Sequence, residues 1–310
     1  MSSINKKLAN PKDSFGLSGG QLARSALKRN YTIPPFSVLN TRDGDWQERR
    51  RAWLALGIQS ELGREVVTYN TKHLSEEKYG KGKQSMGEIS IFDPVLCEFI
   101  YTFFCPPNGQ VVDPFAGGSV RGVTASVLGL QYWGCDLSKR QIRVNREQLT
   151  PDMMGDHIPE WLCGDSRKEL TIAPKCDLFF SCPPYSMLEV YSDDPKDISN
   201  MPYSEFLEAY SDIIQKGCKK LRDQRFACFV VASFRDKKTH AIYDLPGDTI
   251  RAFQKAGLVW YDDLVLVNQC GTGPIRAKTL FENGRRKVVK LHQNVLVFAK
   301  GKPPAWDWSN

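Results

Sequence analysis

Val111-Val112-Asp113-Pro114-Phe115-Ala116-Gly117-Gly118-Ser119 decides the reading of this chain. Two branched apolar residues, an acid and a run of small residues describe a buried strand that breaks sharply into a helix. Positions 120–130 then continue with helical apolar spacing. Glycines at such a turn let the backbone pass close to a bound group, and the helix start offers N–H donors that have no partner inside the helix. About twenty residues after the first glycine, Trp133-Gly134-Cys135-Asp136 closes a second short strand with an acid, placed to accept hydrogen bonds from the two hydroxyls of a ribose. These residues alone fit any Rossmann-like nucleotide site, and equally a plain strand–helix turn.

A second stretch, Asp177-Leu178-Phe179-Phe180-Ser181-Cys182-Pro183-Pro184-Tyr185, is another apolar strand ending in two prolines and an aromatic ring. The prolines fix a rigid turn and remove two N–H donors, so the carbonyl oxygens there face outward without competing donors. A rigid acceptor beside a ring suits a planar base that carries an exocyclic amino group. With both stretches in hand, the chain resembles the amino-methyltransferases that act on adenine N6 or cytosine N4 in DNA. Their first motif reads Asp-Pro-Phe-Ala-Gly-Ser-Gly, and their fourth is Asp, Asn or Ser followed by Pro-Pro-Tyr. The likeness runs over about residues 88–300, with the two motifs in order at strand ends.

The rest of the chain sets the frame. Its 310 residues allow about two domains and a sizeable core. Hydrophobic residues make up 41% and charged residues 25%, as in ordinary soluble globular proteins. A net charge of +7 suits a polyanionic partner without demanding one. Nine cysteines, odd in number and irregularly spaced, argue against a disulfide framework, and none forms the CxxC pair of a zinc site. No metal is expected. Positions 1–15 lack the apolar core of a signal peptide, and no apolar run approaches a membrane span, so a cytosolic protein is expected.

Residues 1–87 read as an N-terminal extension. Its first 35 residues form a polar arm, a helix covers about 46–62, and a charged linker covers 72–83. Arg49, Arg50 and Arg51 on that helix are either a solvated basic face or phosphate contacts. Residues 88–302 hold the principal domain, followed by a tail over 303–310. Asp93 and Pro94 suit the N-cap and first turn of a helix to about residue 104. Seven strands (110–114, 131–136, 160–164, 176–182, 226–233, 259–268 and 292–299) alternate with helices 119–130, 138–149, 203–220 and 246–256. That alternation predicts an α/β fold, a doubly wound and mostly parallel sheet with ligands at the carboxyl strand ends. The last two strands, joined without a helix, should pair antiparallel. The resembled methyltransferases have a seven-stranded sheet with that ending.

By the resemblance, Asp113, Phe115, Ala116, Gly117 and Gly118 cradle the methionine part of S-adenosylmethionine. Asp136 holds the ribose, and Asp165 meets the adenine amino group. Phe92, Asp93 and Pro94 match a further cofactor contact ahead of the first motif. Pro183, Pro184, Tyr185 and Ser181 would form the substrate end, with Tyr185 stacked on a base flipped out of double-stranded DNA. The chain departs from the pattern twice. Gly118-Ser119 replaces Ser-Gly, where Ser tolerates positive φ less readily. Cys182 replaces Asp, Asn or Ser, leaving three readings: a weak acceptor, an inert buried residue, or a nucleophile for pyrimidine carbon-5 methylation. The carbon-5 enzymes place Pro before Cys, whereas here Cys precedes Pro-Pro, which ranks amino methylation first.

Positions 271–290 form a basic loop. Arg276, Lys278, Arg285, Arg286 and Lys287 are candidate DNA contacts, although the 285–287 run also suits protection of a sheet edge. Positions 186–202 read as a mobile flap over the base pocket. The short spacing between the motifs leaves no room for a target-recognition domain between them, so recognition is expected from the N-terminal extension, the 186–202 flap or the 271–290 loop, all of them small. A short target sequence and a solitary modification enzyme, of the kind bacteriophages carry, are therefore expected. A DNA-binding homologue without catalysis and an RNA-directed enzyme are the competing readings.

Overall fold

The computed structural model describes residues 33–59, 92–186, 192, 194–236, 239–268, 273–284 and 286–303. In chain order the elements are β1 (Val38–Asn40), α1 (Gly44–Leu54), α2 (Pro94–Phe104), β2 (Gln110–Asp113), α3 (Val120–Val127), β3 (Gln131–Asp136), α4 (Lys139–Glu147) and β4 (Glu160–Cys163). They continue with α5 (Ser166–Glu169), β5 (Cys176–Ser181), α6 (Tyr203–Lys220), β6 (Leu221–Val231), β7 (Phe234–Arg235), β8 (Ile242–Tyr243), α7 (Leu245–Lys255), β9 (Val259–Val267), α8 (Gly273–Glu282) and β10 (His292–Lys300).

The main sheet has the order β1-β9-β10-β6-β5-β2-β3-β4. β2 through β6 run parallel, while β10 lies antiparallel to both β6 and β9. The doubly wound α/β expectation holds, including the antiparallel ending. Two details differ. The sheet has eight strands rather than seven, because β1 adds in parallel to the outer edge of β9. At three residues, with only Leu39 buried, β1 is too short to show strand alternation in sequence. The last two strands also enclose α8, so the basic loop contains a helix.

Helices cover both faces of the sheet, as parallel strands require. On one face lies α2, which is apolar all round and buries nearly every side chain; Asp93 caps it by accepting the Val95 N–H at 2.9 Å. On the other face α6 buries Phe206, Tyr210, Ile213, Ile214 and Gly217 at helical spacing. A Cβ on Gly217 would stand 2.0 Å from the Phe179 ring, so α6 comes that close to β5 only because position 217 is bare.

The described part of the N-terminal extension is built into this frame. After β1, helix α1 buries Trp46 and Trp53 against α2. Glu98 on α2 accepts from Arg49 Nε at 2.7 Å and Nη2 at 2.5 Å, and from Trp53 Nε1 at 2.7 Å. Asp93 accepts from Trp46 Nε1 at 3.0 Å. Arg49 is therefore a half-buried structural partner of Glu98. Arg50 is partly exposed, 3.9 Å from Asp93, and Arg51 is exposed. The helix starts at Gly44 and ends at Leu54, earlier than the expected 46–62; residues 60–62 and the 72–83 linker lie outside the described residues.

Glu98→Ala would take from Arg49 and from the buried Trp53 Nε1 their shared acceptor, so a loss of about 1–3 kcal/mol is expected in urea unfolding. A loss under about 0.5 kcal/mol would contradict this role for the N-terminal segment.

Candidate cofactor and substrate site

The strand order reverses between β2 and β5, which are hydrogen-bonded neighbours through Val111–Leu178 and Val112–Phe179. Ligands in open parallel sheets sit at the carboxyl ends beside such a reversal. Both stretches singled out in the sequence emerge here, one from each strand.

A fully buried carboxylate joins them. Asp113, 0% exposed, accepts through Oδ1 from the Phe115 N–H at 3.1 Å and from Ser181 Oγ at 2.5 Å. Through Oδ2 it accepts from Arg121 Nε at 2.6 Å and Tyr132 OH at 2.7 Å. Asp113 and Ser181 thus act from beneath the two turns. Arg121 is a site residue that the sequence reading misses; its only signal is a cation within an apolar helix, eight positions after the motif acid. Its guanidinium also donates to the carbonyls of Phe115 and Ala116 and lies 4.7 Å from the centre of the Phe92 ring. Burial works against the charged form, but the adjacent Asp113 outweighs it and holds the guanidinium protonated. Phe92 and Asp93 are half-buried and Pro94 is buried; Phe92 packs edge-on against Phe180 at 5.8 Å.

Above this layer, the turn is shaped by Gly117, whose φ of +51° suits glycine. Its N–H donates to Asp136 Oδ2 at 2.9 Å, and its carbonyl accepts from the buried Asn145 Nδ2 at 2.8 Å. Ser119 has φ −70°, so the Gly-Ser order demands no positive φ from the serine. Phe115 and Gly118 are half-buried, and Ala116 is buried with its N–H bound to the Cys135 carbonyl at 2.9 Å. Gly134 lets the parts meet: a Cβ there would lie 2.8 Å from Tyr132 OH and 2.9 Å from Ala116 Cβ.

Two acids line the carboxyl ends of β3 and β4. Asp136 also accepts the Ser138 N–H at 2.9 Å through Oδ1. Asp165 caps α5 and is gripped by Arg167, whose Nη2 sits 2.8 Å from Oδ2. Burial opposes its ionisation, yet the side-chain and backbone hydrogen bonds from Arg167 prevail and keep the carboxyl below its ordinary range. A bare glycine turn with two acids beyond it fits a nucleoside-bearing cofactor. The Ser119 hydroxyl strengthens that fit, being buried at the helix start with no hydrogen-bond partner among the described residues.

On the β5 side Cys182 and Pro184 are half-buried and Pro183 is buried. Tyr185 is 9% exposed; its hydroxyl accepts from Gln293 Nε2 at 3.2 Å, and its ring meets Phe234 edge-on at 5.8 Å. Phe234, Tyr203 and Tyr243 continue an aromatic wall, none of which the sequence reading singles out. Within 186–202 the described residues, 186, 192 and 194–202, form a hydrogen-bonded turn. Ser192 Oγ donates to Asp197 at 3.0 Å, Asp197 accepts the Ser199 N–H at 2.9 Å, and Ser186 Oγ donates to the Met201 carbonyl at 2.9 Å. Tyr191 and Asp193 lie outside the described residues.

Of the candidate nucleic-acid contacts, Arg276 and Lys278 sit on the exposed face of α8, with Lys278 3.5 Å from Glu282. Arg286 and Lys287 are exposed, and Arg285 lies outside the described residues. Lys290 belongs to the rim: its Nζ donates to Ser233 Oγ at 2.6 Å. The described cysteines are free thiols. No helix among the described residues is long and apolar enough to cross a membrane.

No family model and no curated protein matches the chain. Among solved structures it is similar to TrmN from Thermus thermophilus, at 16% identity and TM-score 0.46, covering 67% of this chain and 49% of that one. It is similar to a precorrin-6y C5,15-methyltransferase from Geobacter metallireducens, at 10% identity and TM-score 0.43, covering 67% and 87%. A candidate DNA modification methylase, also from Thermus thermophilus, aligns at 16% identity and TM-score 0.34, covering 46% and 55%. The chain thus spans about half the length of TrmN and of the modification methylase. At these identities and scores they carry nothing about function, which rests on the chain's own residues.

Arg121→Met should lower stability by about 3–5 kcal/mol, because it leaves the Asp113 carboxylate buried without its cation. Adding Asp113→Asn should restore part of that loss. Simple additivity of the two losses in denaturant unfolding would contradict the pairing.

Proposed function

We propose that the chain transfers a methyl group from S-adenosylmethionine to an exocyclic amino nitrogen, adenine N6 or cytosine N4, of a base turned out of double-stranded DNA. One observation carries this: the glycine turn after β2 and the Cys182-Pro183-Pro184-Tyr185 turn after β5 open side by side, both tied to Asp113. A cofactor seat and a base seat are thereby held at a fixed separation, which is the main requirement of a direct transfer between two bound partners.

S-adenosylmethionine supplies a methyl group on a sulfonium sulfur, an electrophile that needs no acid catalyst. The bare backbone at Gly117 and Gly118 leaves room for the methionine end, with the unpartnered Ser119 hydroxyl beside it, and Phe92 and Pro94 border it. Asp136 accepts the ribose hydroxyls while it anchors the turn. Asp165, kept ionised and oriented by Arg167, accepts from the adenine amino group. On the substrate side the Pro183 carbonyl accepts one amino hydrogen and aims the nitrogen lone pair at the methyl group. Cys182 adds little as an acceptor, since a thiol sulfur accepts weakly. Tyr185 and the aromatic wall behind it receive the base, and Arg276, Lys278, Arg286 and Lys287 meet the phosphates.

The test incubates the protein with tritium-labelled S-adenosylmethionine and unmodified duplex DNA, then digests the DNA and separates the nucleosides. Label in N6-methyladenine or N4-methylcytosine is expected, and it should survive Cys182→Ala with less than about a tenfold loss. Label in a 5-methylpyrimidine that Cys182→Ala abolishes would make Cys182 a nucleophile and overturn the amino reading. No label in the DNA would overturn the DNA methyltransferase reading.

A further inference from the structure

Helix α8 leaves the molecule at the rim of the site. Its root is fixed there: Lys290 Nζ donates to Ser233 Oγ at 2.6 Å just beyond β6, and the Asn268 N–H donates to the Leu291 carbonyl at 2.8 Å. Two residues along β10 from that carbonyl, Gln293 bonds the Tyr185 hydroxyl. Beyond the root the helix stands clear of the body. Gly273 is its buried residue and Leu280 is half-buried, while the remainder is exposed. Ile275 is 66% exposed, Phe281 83%, and Val288, just past the helix, 90%.

A ten-residue helix has little stability of its own in water and ordinarily draws it from packing. Among the described residues α8 has little such packing beyond Gly273 and Leu280, and a partner of complementary charge would supply it. Positions 271–290 carry six lysines and arginines against one acid, Glu282, so two copies of the segment would repel and a polyanion would be drawn in. The B-DNA major groove has the width of an α-helix, offers guanine edges to arginine, and offers thymine methyl groups to apolar side chains.

We infer that α8 enters the major groove of duplex DNA and reads bases there, with Ile275 and Phe281 against base edges and Arg286 and Lys287 on the phosphates. This rests on DNA being the substrate and names the element that selects the target. It also accounts for large apolar side chains on a cationic segment, which phosphate contacts alone would not require.

The test is selection of binding sites from a randomised duplex pool by the full chain, followed by fluorescence anisotropy against salt. The wild type should enrich a defined short sequence. Ile275→Ala/Phe281→Ala, whose fold is checked by thermal melting, should bind that sequence about tenfold more weakly or worse and lose the preference, with the salt dependence unchanged. Arg286→Ala/Lys287→Ala should keep the preference and lower the slope of log K against log salt by about 1.8. An apolar variant that selects the same sequence with the same affinity overturns the inference and leaves the DNA reading standing. So does a wild-type dimer that Phe281→Ala dissociates without changing DNA binding. A wild type that binds no duplex removes both.

Discussion

The carboxylate of Asp113 is the contact on which the rest of the site depends. It gathers four donors from four places: the turn after β2, helix α3, strand β3 and the end of β5. A buried charge is tolerated only when it is paired and fully hydrogen-bonded, and Arg121 together with two hydroxyls meets that requirement. The return on this arrangement is positional. The strands would align through their backbone ladders in any case, but the loops beyond them would not. Tying Phe115 and Ser181 to the same carboxylate fixes the two loops relative to each other.

The outer layer follows from the same network. Arg121 bonds the carbonyls of Phe115 and Ala116, so the turn is held from below while Asp136 and Asn145 hold Gly117 from the far side. Phe92 covers the guanidinium, and Phe92 is placed by the Asp93 cap and by the tryptophan and arginine bonds of α1 to Asp93 and Glu98. In this way a segment that adds a strand at one edge of the sheet also braces a residue at the glycine turn.

How much can be read from sequence depends on whether a residue's task is local. The strand–turn–helix around Asp113 is a local pattern, as are the helices over 94–104 and 203–220, and each matches the observed element closely. The task of Arg121 is defined by Asp113, Phe92 and Tyr132 together, and no spacing in one chain reveals such a set. β1 escapes because three residues cannot show a period. Helix α8 escapes because a cationic segment with scattered apolar residues has no apolar stripe, and in the fold most of it is exposed. The triplet Arg49-Arg50-Arg51 shows the opposite failure: a sequence cluster that structure divides, with Arg49 half-buried against Glu98 and Arg51 in solvent.

The most direct test of the central claim, that the turn braced by Asp113 and closed by Asp136 is a cofactor seat, is calorimetric titration of the purified chain with S-adenosylhomocysteine. One-to-one binding by the wild type is expected, weakened at least about tenfold by Asp136→Ala in a protein that melts as a folded domain, the loss of hydrogen bonds to a carboxylate being worth about 1.5–3 kcal/mol. No binding by the folded wild type, or binding that Asp136→Ala leaves unchanged, would contradict it.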